Sequence, residues 1–387
     1  MSQSDHLSIV KSLMLDFADR TGLMKRGKNP RRYLWTDAFA VCNFFELYRQ
    51  TSDRKFWKLA LALIDQVHET LGRHRPDDVR QGWISGLVEK EGREHPTVGG
   101  LRIGKSLPER RPGEPLSDLL EWDQDGQYFH YLTKWMHALH RASQFTGDSN
   151  FNRMARELAH TAHSRFTYRL PSGGPKRMYW KMSIDLSRPL VMSMGQHDPL
   201  DGLITYYELR ENLRANDSAP DLKAEIDELA PLCRNRDWST DDPLGLGGLL
   251  ADAFRVGQLT LKGAIAVPEM LENIVSSARS GLESFFRGNP LTRPGPYRLA
   301  FRELGLSIGL RAAGKLNRLM ADNRSSFNMI SVAGQIDDIL RFGRYAQTIE
   351  DFWLSPGNQR ADTWIEHRDI NDVMLATSLA PEGFLTV

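Results

Sequence analysis

Residues 33–71 read YLWTDAFAVCNFFELYRQTSDRKFWKLALALIDQVHETL, and residues 120–164 read LEWDQDGQYFHYLTKWMHALHRASQFTGDSNFNRMARELAHTAHS. The two stretches are copies of one unit. Each opens on an acidic, tryptophan-containing start, Trp35-Thr36-Asp37 in one and Trp122-Asp123 in the other. A long apolar helix follows, then a turn of sequence TSD or TGD, then a second, amphipathic helix whose apolar residues recur at helical spacing. The turn Ser or Asp can accept hydrogen bonds from the free N–H groups that open the second helix. A helical hairpin repeated along a chain predicts a helical-repeat architecture, because one hairpin cannot bury its apolar faces alone.

Working outward, the same rhythm predicts helix pairs over 198–214 with 220–233, 244–258 with 268–286, and 296–317 with 326–350. A helix over 5–22 precedes the first unit and one over 362–380 ends the series. Twelve helices pair into six outer-to-inner hairpins, and a closed ring of six needs no unpaired end repeat. The expectation is therefore an all-α (α/α)6 barrel, a six-hairpin toroid in which residues 1–387 form a single domain. The turns from inner to outer helix are short, at 51–53, 146–149 and 215–219. The connections from outer to inner helix are longer, at 23–34, 73–121, 169–197, 236–243, 287–295 and 351–361. All the long loops thus gather on one rim, at the N-termini of the inner helices, and long loops on a rigid scaffold are where function concentrates. The loops 73–121 and 169–197 are the expected cover of the site.

Composition narrows the function classes. With 50 Lys and Arg against 49 Asp and Glu, bulk charge gives no reason to expect a nucleic-acid or membrane partner. No apolar run approaches the roughly 18 residues that span a bilayer, and MSQSDHLSIVKSLMLDF lacks the pattern of a signal peptide. A reducing cytoplasm is the expected location. Two cysteines, Cys42 and Cys233, in apolar helical patterns read as buried thiols and exclude a disulfide framework.

In helix rhythm and rim residues, nearly the whole chain resembles the six-hairpin toroid enzymes. These include the six-hairpin glycosidases and the N-acylglucosamine 2-epimerase group. The resemblance implies a carbohydrate bound on the rim where inner helices begin, the rim that loop length selects independently.

That rim is dense in ionisable and aromatic residues. It carries Asp37; Trp122, Asp123, Asp125, Gln127 and His130; Gln196, His197, Asp198 and Asp201; Asp241 and Asp242; Tyr297, Arg298 and Arg302; and Trp364, Glu366, His367, Arg368 and Asp369. Glycoside hydrolysis needs one protonated and one ionised carboxyl, roughly 6.5–9.5 Å apart for inversion and about 5–5.5 Å for retention. Asp123, Asp125, Asp37, Asp198 and Glu366 are the catalytic candidates. For any one of them the simpler reading is a helix cap, since carboxylates at helix N-termini bind free N–H groups and oppose the dipole. Asp123 and Asp125, two residues apart and bracketed by Trp122, Gln127 and His130, exceed what one cap requires. Trp35, Trp83, Trp122, Trp180, Trp238 and Trp364 fall in long loops or at inner-helix starts. Indoles there suit the C–H faces of sugars, although each could equally seal a loop onto the core.

Other features carry less. His160 and His163 occupy adjacent turns of an outer helix without a third ligand, and no metal site is expected. GGLRIGK at 99–105 lacks the spacing of a phosphate loop and reads as an ordered cover over the rim. LKAEIDEL at 222–229 is a solvated outer face, and the acidic doublets do not match the DxDD of helical-toroid terpene cyclases. The basic run Lys25–Arg32, with Arg102, Lys105, Arg298 and Arg302, would suit an anionic sugar such as a uronate or phosphate ester. A solvated loop is its simpler reading.

The functional expectation is a glycoside hydrolase acting on a short oligosaccharide, without a cofactor. Asp123 or Asp125 would be one catalytic carboxyl and Asp37, Asp198 or Glu366 the other. Trp35, Trp122, Gln127, His130, His197, Arg302, Trp364 and His367 would bind substrate. One alternative is a sugar epimerase using His197 and His367 as paired bases, whose ordinary pKa suits proton transfer near neutrality. Another is a non-catalytic toroid that binds sugar or acts as a scaffold.

Overall fold

The computed structural model describes residues 3–24, 30–174, 176–211, 213, 219–265, 268–327 and 330–387. Positions 25–29 of the basic run, and most of the 215–219 turn, lie outside the described residues. The chain begins with α1 (Gln3–Arg20) and divides into two compact units. One comprises residues 18–233, and the other residues 1–17 with 234–387.

Within 18–233, α2 (Leu34–Thr51) pairs with α3 (Arg54–Leu71). Two short helices follow, α4 (Glu89–Glu94) and α5 (Asp118–Glu121), then the pair α6 (Phe129–Thr146) and α7 (Ser149–Phe166). A third pair is α8 (Asp198–Arg210) and α9 (Lys223–Cys233). α6 also packs on α2 and on α8, so these three form an inner layer. The burial pattern gives the reason. α2 is buried without a break from Leu34 to Leu47, whereas α3 buries one stripe: Phe56, Leu59, Ala60, Leu63, Ile64, Val67, His68 and Leu71. A helix with neighbours all round has no solvent face to make polar, and an outer helix has. Polar groups on the inner layer are matched to one another, as where His137 Nδ1 lies 2.7 Å from Glu208 Oε1.

The repeat extends to individual hydrogen bonds. α2 ends on Thr51, whose hydroxyl donates to Leu47 O at 2.6 Å and accepts from Asp53 N at 3.2 Å. In the second copy Thr146 donates to Ala142 O at 2.7 Å and accepts from Asp148 N at 3.1 Å. The turn residue is left-handed in both, Ser52 at φ 57° and Gly147 at φ 73°. Asp53 and Asp148 then cap the outer helices, accepting from Lys55 N and Asn150 N at 2.9 Å.

The other unit contains α10 (Pro243–Leu261), which packs on α11 (Pro268–Arg287) and α12 (Ala300–Asp322). α12 in turn meets α13 (Ile330–Leu340), α14 (Arg344–Leu354) and, beyond the short α15 (Asp362–Ile365), α16 (Arg368–Leu379). α10 and α12 touch through glycines. A Cβ on Gly247 would lie 2.0 Å from Gly305 O, and one on Gly309 would lie 2.6 Å from Gly247 Cα. After α17 (Glu382–Leu385) the chain is fastened to α10, with Gln258 donating to Leu385 O and Lys262 to Val387 O.

Three expectations need correction. The outer helix expected over 326–350 is two helices, parted by a turn at 341–343 where Phe342 stacks on Phe286. The helix expected over 362–380 starts at Arg368, with α15 as a separate turn before it. The rim also holds strand, which the sequence analysis did not anticipate: β1 (Gln127–Tyr128), β2 (Thr167–Tyr168), β3 (Arg177–Met178), β4 (Lys181–Met182) and β5 (Pro189–Val191). They pair antiparallel in the orders β1-β4-β5 and β2-β3. At two or three residues each they are too short to leave an alternating pattern. Among the described residues no helix is long and apolar enough to cross a membrane.

Candidate functional site

The loops of the 18–233 unit are bound together by arginine and carboxylate pairs. Asp125 is fully buried. Its Oδ2 accepts from Arg102 Nη1 at 2.7 Å and Arg75 Nη1 at 3.4 Å, and its Oδ1 from the N–H groups of Gly104 at 2.9 Å and Gly126 at 3.1 Å. Gln127 does similar work with an amide, accepting from Leu101 N at 2.8 Å and donating to Ile184 O at 2.7 Å. GGLRIGK is thus a buried strap, with Leu101 and Ile103 wholly enclosed. Gly104, at φ +91°, sits where a Cβ would meet Arg32 O at 2.2 Å. Asp125 and Gln127 clamp this strap rather than face a ligand. Asp37 is likewise spoken for. It accepts from Tyr33 N, just before α2, at 2.9 Å and pairs with buried Arg32 at 3.3 Å. It closes the helix start, as the capping alternative anticipates.

Asp198 is different. It opens α8 behind the N-cap His197, and Pro199 fixes the first turn of the helix. Its carboxyl is buried, and Oδ2 has no hydrogen-bond partner among the described residues. Oδ1 lies 3.6 Å from His130 Nδ1, beyond hydrogen-bond range, and that nitrogen is also buried without a partner among the described residues. Gly195 closes over the acid, since a Cβ there would stand 2.4 Å from Asp198 Oδ2. Burial, reinforced by the charge of Asp201, pushes the Asp198 carboxyl up to about 8, although Lys134 pulls the other way. Burial also pushes His130 down to about 4. At neutral pH the pair is a carboxylic acid beside a neutral imidazole. One helical turn on, Asp201 is held by Lys134 Nζ at 2.8 Å and Thr133 Oγ1 at 2.5 Å.

An aromatic wall leads away from this pair. His130 lies parallel to Trp180 at 6.4 Å, Trp180 meets Trp122 edge-on at 5.4 Å, and Trp122 reaches solvent. Tyr128 packs on His130 and Trp180, and Tyr131 on His130. Tyr131 and Tyr33 join hydroxyl to hydroxyl at 2.5 Å, with the Lys105 ammonium 5.3 Å from the Tyr33 ring centroid. Burial raises the Tyr33 phenol to about 12 and lowers the Lys105 ammonium, which the charge of Asp123 supports. Asp123 itself is exposed beside Trp122.

The remaining expected site residues scatter. Trp35 is buried against Phe39, and Trp364, buried in the other unit, stacks on Trp353 at 5.6 Å; both are core residues rather than platforms. In that unit Arg302 pairs with Asp242, the N-cap of α10, and exposed His367 meets Phe301 edge-on. Glu366 is exposed between α15 and α16. Arg298 is buried in an ion pair with Glu303, which also accepts from Trp353 Nε1 at 2.8 Å. Tyr33, Tyr128, Tyr131 and Lys134 are missing from the sequence-derived set. The run Tyr128-Phe129-His130-Tyr131 at a helix start was the available signal, for it places three polar-tipped rings within four residues.

No protein-family description and no characterised protein sequence matches the chain. Among solved structures, it is similar to the alpha-1,6-mannanase GH76A of Salegentibacter sp. HEL1_6 in two inactive aspartate variants. These are complexed with alpha-1,6-mannotetrose (TM-score 0.54) and alpha-1,6-mannotriose (TM-score 0.53). In both, identity is 11%, covering 97% of this chain and 99% of that one. The cellobiose 2-epimerase of Spirochaeta thermophila DSM 6192 matches with a TM-score of 0.47 and 13% identity, over 89% of this chain and 86% of that one. The mannanase likeness shows the fold, that of the all-α (α/α)6 six-hairpin toroids.

Proposed function

We propose that the protein is a carbohydrate-active enzyme, a glycoside hydrolase in which Asp198 is the general acid. The observation that carries this reading is the Asp198–His130 pair, a desolvated carboxyl that keeps its proton near neutrality at the end of an aromatic wall. Pairs of groups whose surroundings set their protonation apart are the mark of acid–base chemistry. Asp123 is the second carboxyl. It is exposed, stands beside Trp122, and among the described residues carries no ion pair like those of Asp37 and Asp125. Asp198 protonates the leaving oxygen as the C1–O bond breaks, and Asp123 supports attack at C1 as nucleophile or as base toward water. His130 and Lys105 orient hydroxyls, and Trp122 and Trp180 stack sugar rings. The similarity to a mannanase that holds short mannose oligosaccharides supports a substrate of this kind. Residues 1–387 act as one domain in this proposal, with the 73–121 and 169–197 loops as cover.

The test is a panel of oligosaccharides and glycosides assayed for new reducing ends. Turnover that Asp198→Asn and Asp123→Asn each reduce at least a hundredfold, with unchanged melting at pH 4, supports the assignment. Full activity in Asp198→Asn overturns it.

A further inference from the structure

Three cations near the aromatic wall are matched to carboxylates. Arg102 meets Asp125 at 2.7 Å, Lys134 meets Asp201 at 2.8 Å, and Lys181 meets Glu121 at 2.8 Å. Lys105 departs from this pattern. It is half-buried, and among the described residues its ammonium makes no hydrogen bond and no ion pair. A charge drawn out of water without a partner is costly, and burial holds this ammonium below the usual lysine range. The strap fixes where it stands. Gly104 N donates to Asp125 Oδ1 at 2.9 Å, and Arg75 grips Lys105 O at 2.7 Å and Ser106 O at 2.9 Å. Leu107 N donates to Asp123 O at 3.2 Å, which lays this segment along the one that carries Asp123. Lys105 Nζ thereby reaches 5.3 Å from the Tyr33 ring centroid. Tyr33 bonds Tyr131, and Tyr131 packs on His130, so two rings separate the ammonium from the Asp198–His130 pair.

Charge and position identify the ligand group. One ammonium balances one negative charge, whereas a phosphate ester carries nearly two at neutral pH. The neighbouring Arg75, Arg102 and Lys181 are already engaged by Asp77, Asp125 and Glu121. A carboxylate therefore fits better than a phosphate. Asp123 acts on Lys105 through its charge, without an ion pair among the described residues. In the hydrolase reading Asp123 supports attack at C1, so Lys105 stands by the sugar that bears C1 and not by the leaving group. Resting on that reading, we propose that the sugar bearing C1 is a uronic acid and that Lys105 binds its carboxylate. This replaces a hydroxyl at Lys105 by an anion and makes the lysine a specificity residue.

The experiment titrates the full chain calorimetrically with glucuronic, galacturonic and mannuronic acids and with glucose, galactose and mannose. The three hexose 6-phosphates form a third arm. At least one acid should bind about tenfold more tightly than its neutral partner, and the gap should narrow as salt is raised. Lys105→Met should close the gap and Lys105→Arg should keep part of it, with melting curves showing that both variants fold. In the parent protein, which needs no variant, the bound acid should move the titration of the Lys105 Cε resonance to higher pH, because an anion favours the ammonium. If no acid is preferred over its neutral partner, or if the preference survives Lys105→Met, the proposal is overturned. A loss in Lys105→Met shared equally by acid and neutral sugars also overturns it, since that lysine would only support Asp123. Tighter binding of the phosphates than of the acids overturns the carboxylate assignment. The hydrolase reading fails separately. An acid preference with no uronide cleaved leaves the Lys105 site standing and removes that reading, whereas cleavage of neutral oligosaccharides without any acid preference removes the uronic acid alone.

Discussion

Asp198 Oδ1 and His130 Nδ1 face each other across 3.6 Å without a hydrogen bond, and burial drives both toward the neutral form. The pair is neutral between about 4 and about 8, and each partner's cost to the fold builds up within that window, in opposite directions of pH. Asp198 has a folded value above its unfolded one, so the folded state binds the extra proton and stability falls as pH rises from about 4 to about 8. His130 has the opposite sign, and its cost appears as pH falls from about 6.5 to about 4. Asp198→Asn should therefore melt like the parent at pH 4 and be more stable at pH 8.5, by about 3–6 kcal/mol. Melting curves across pH check this, and a constant difference at every pH would remove the buried acid.

Activity should share the upper limit. A general acid works only while protonated, so kcat/KM should decline above about pH 8 as Asp198 ionises. Replacing Lys134 with Met removes the cation that opposes this shift and should carry the limb to higher pH. The pH–rate profile of the variant is the measurement.

Asp123 and Asp125, two residues apart, should respond oppositely. Asp125→Asn strips the charge from a fully buried carboxylate and leaves Arg102 without its counter-ion, so about 3 kcal/mol of stability should be lost. Asp123→Asn, on an exposed side chain, should leave the denaturation midpoint in place and remove turnover. Urea unfolding and the reducing-end assay together separate the two.

The contrast shows what the sequence could and could not disclose. Hairpin rhythm was legible because periodicity and turn chemistry are local, and the TSD and TGD turns recur bond for bond. Asp125 and Asp123 look equivalent in WDQDG, and only the strap carrying Arg102, folded back from 23 residues away, makes one a clamp. Trp35 and Trp364 carried the same ambiguity, since an indole at a helix start can face solvent or core and distant packing decides. The Asp198–His130 approach joins two helices 68 residues apart, and no spacing rule reports it.

Trp122 and Trp35 should likewise separate binding from packing. Trp122→Ala removes a half-exposed indole and should raise KM about tenfold while costing under 1 kcal/mol of stability. Trp35→Ala empties a buried site against Phe39 and should cost about 3–5 kcal/mol. Melting temperature and KM, measured on both variants, test the division.

The reaction type is decided by the fate of atoms. Hydrolysis cleaves a C–O bond and takes one oxygen from water, whereas epimerisation keeps the bond count and exchanges a carbon-bound proton. Incubating oligosaccharide, alkyl glycoside and monosaccharide panels in deuterated water separates the two by product mass. The expected outcome is new reducing ends without carbon-bound deuterium, lost in Asp198→Asn. Deuterium on a sugar carbon, lost when His197 or His367 is changed to Asn, would establish the epimerase instead. The geometry favours the first result: His367 meets Phe301 edge-on at an exposed position, and His197 stands at the N-cap position of α8, while Asp198 holds a proton next to a neutral imidazole. A neutral His130 could itself abstract a proton, so His130→Asn belongs in the same series. If that variant loses deuterium exchange while reducing-end release was never present, Asp198 and His130 would be an acid–base pair for proton transfer at carbon. If it loses reducing-end release in step with Asp198→Asn, the pair serves the leaving group.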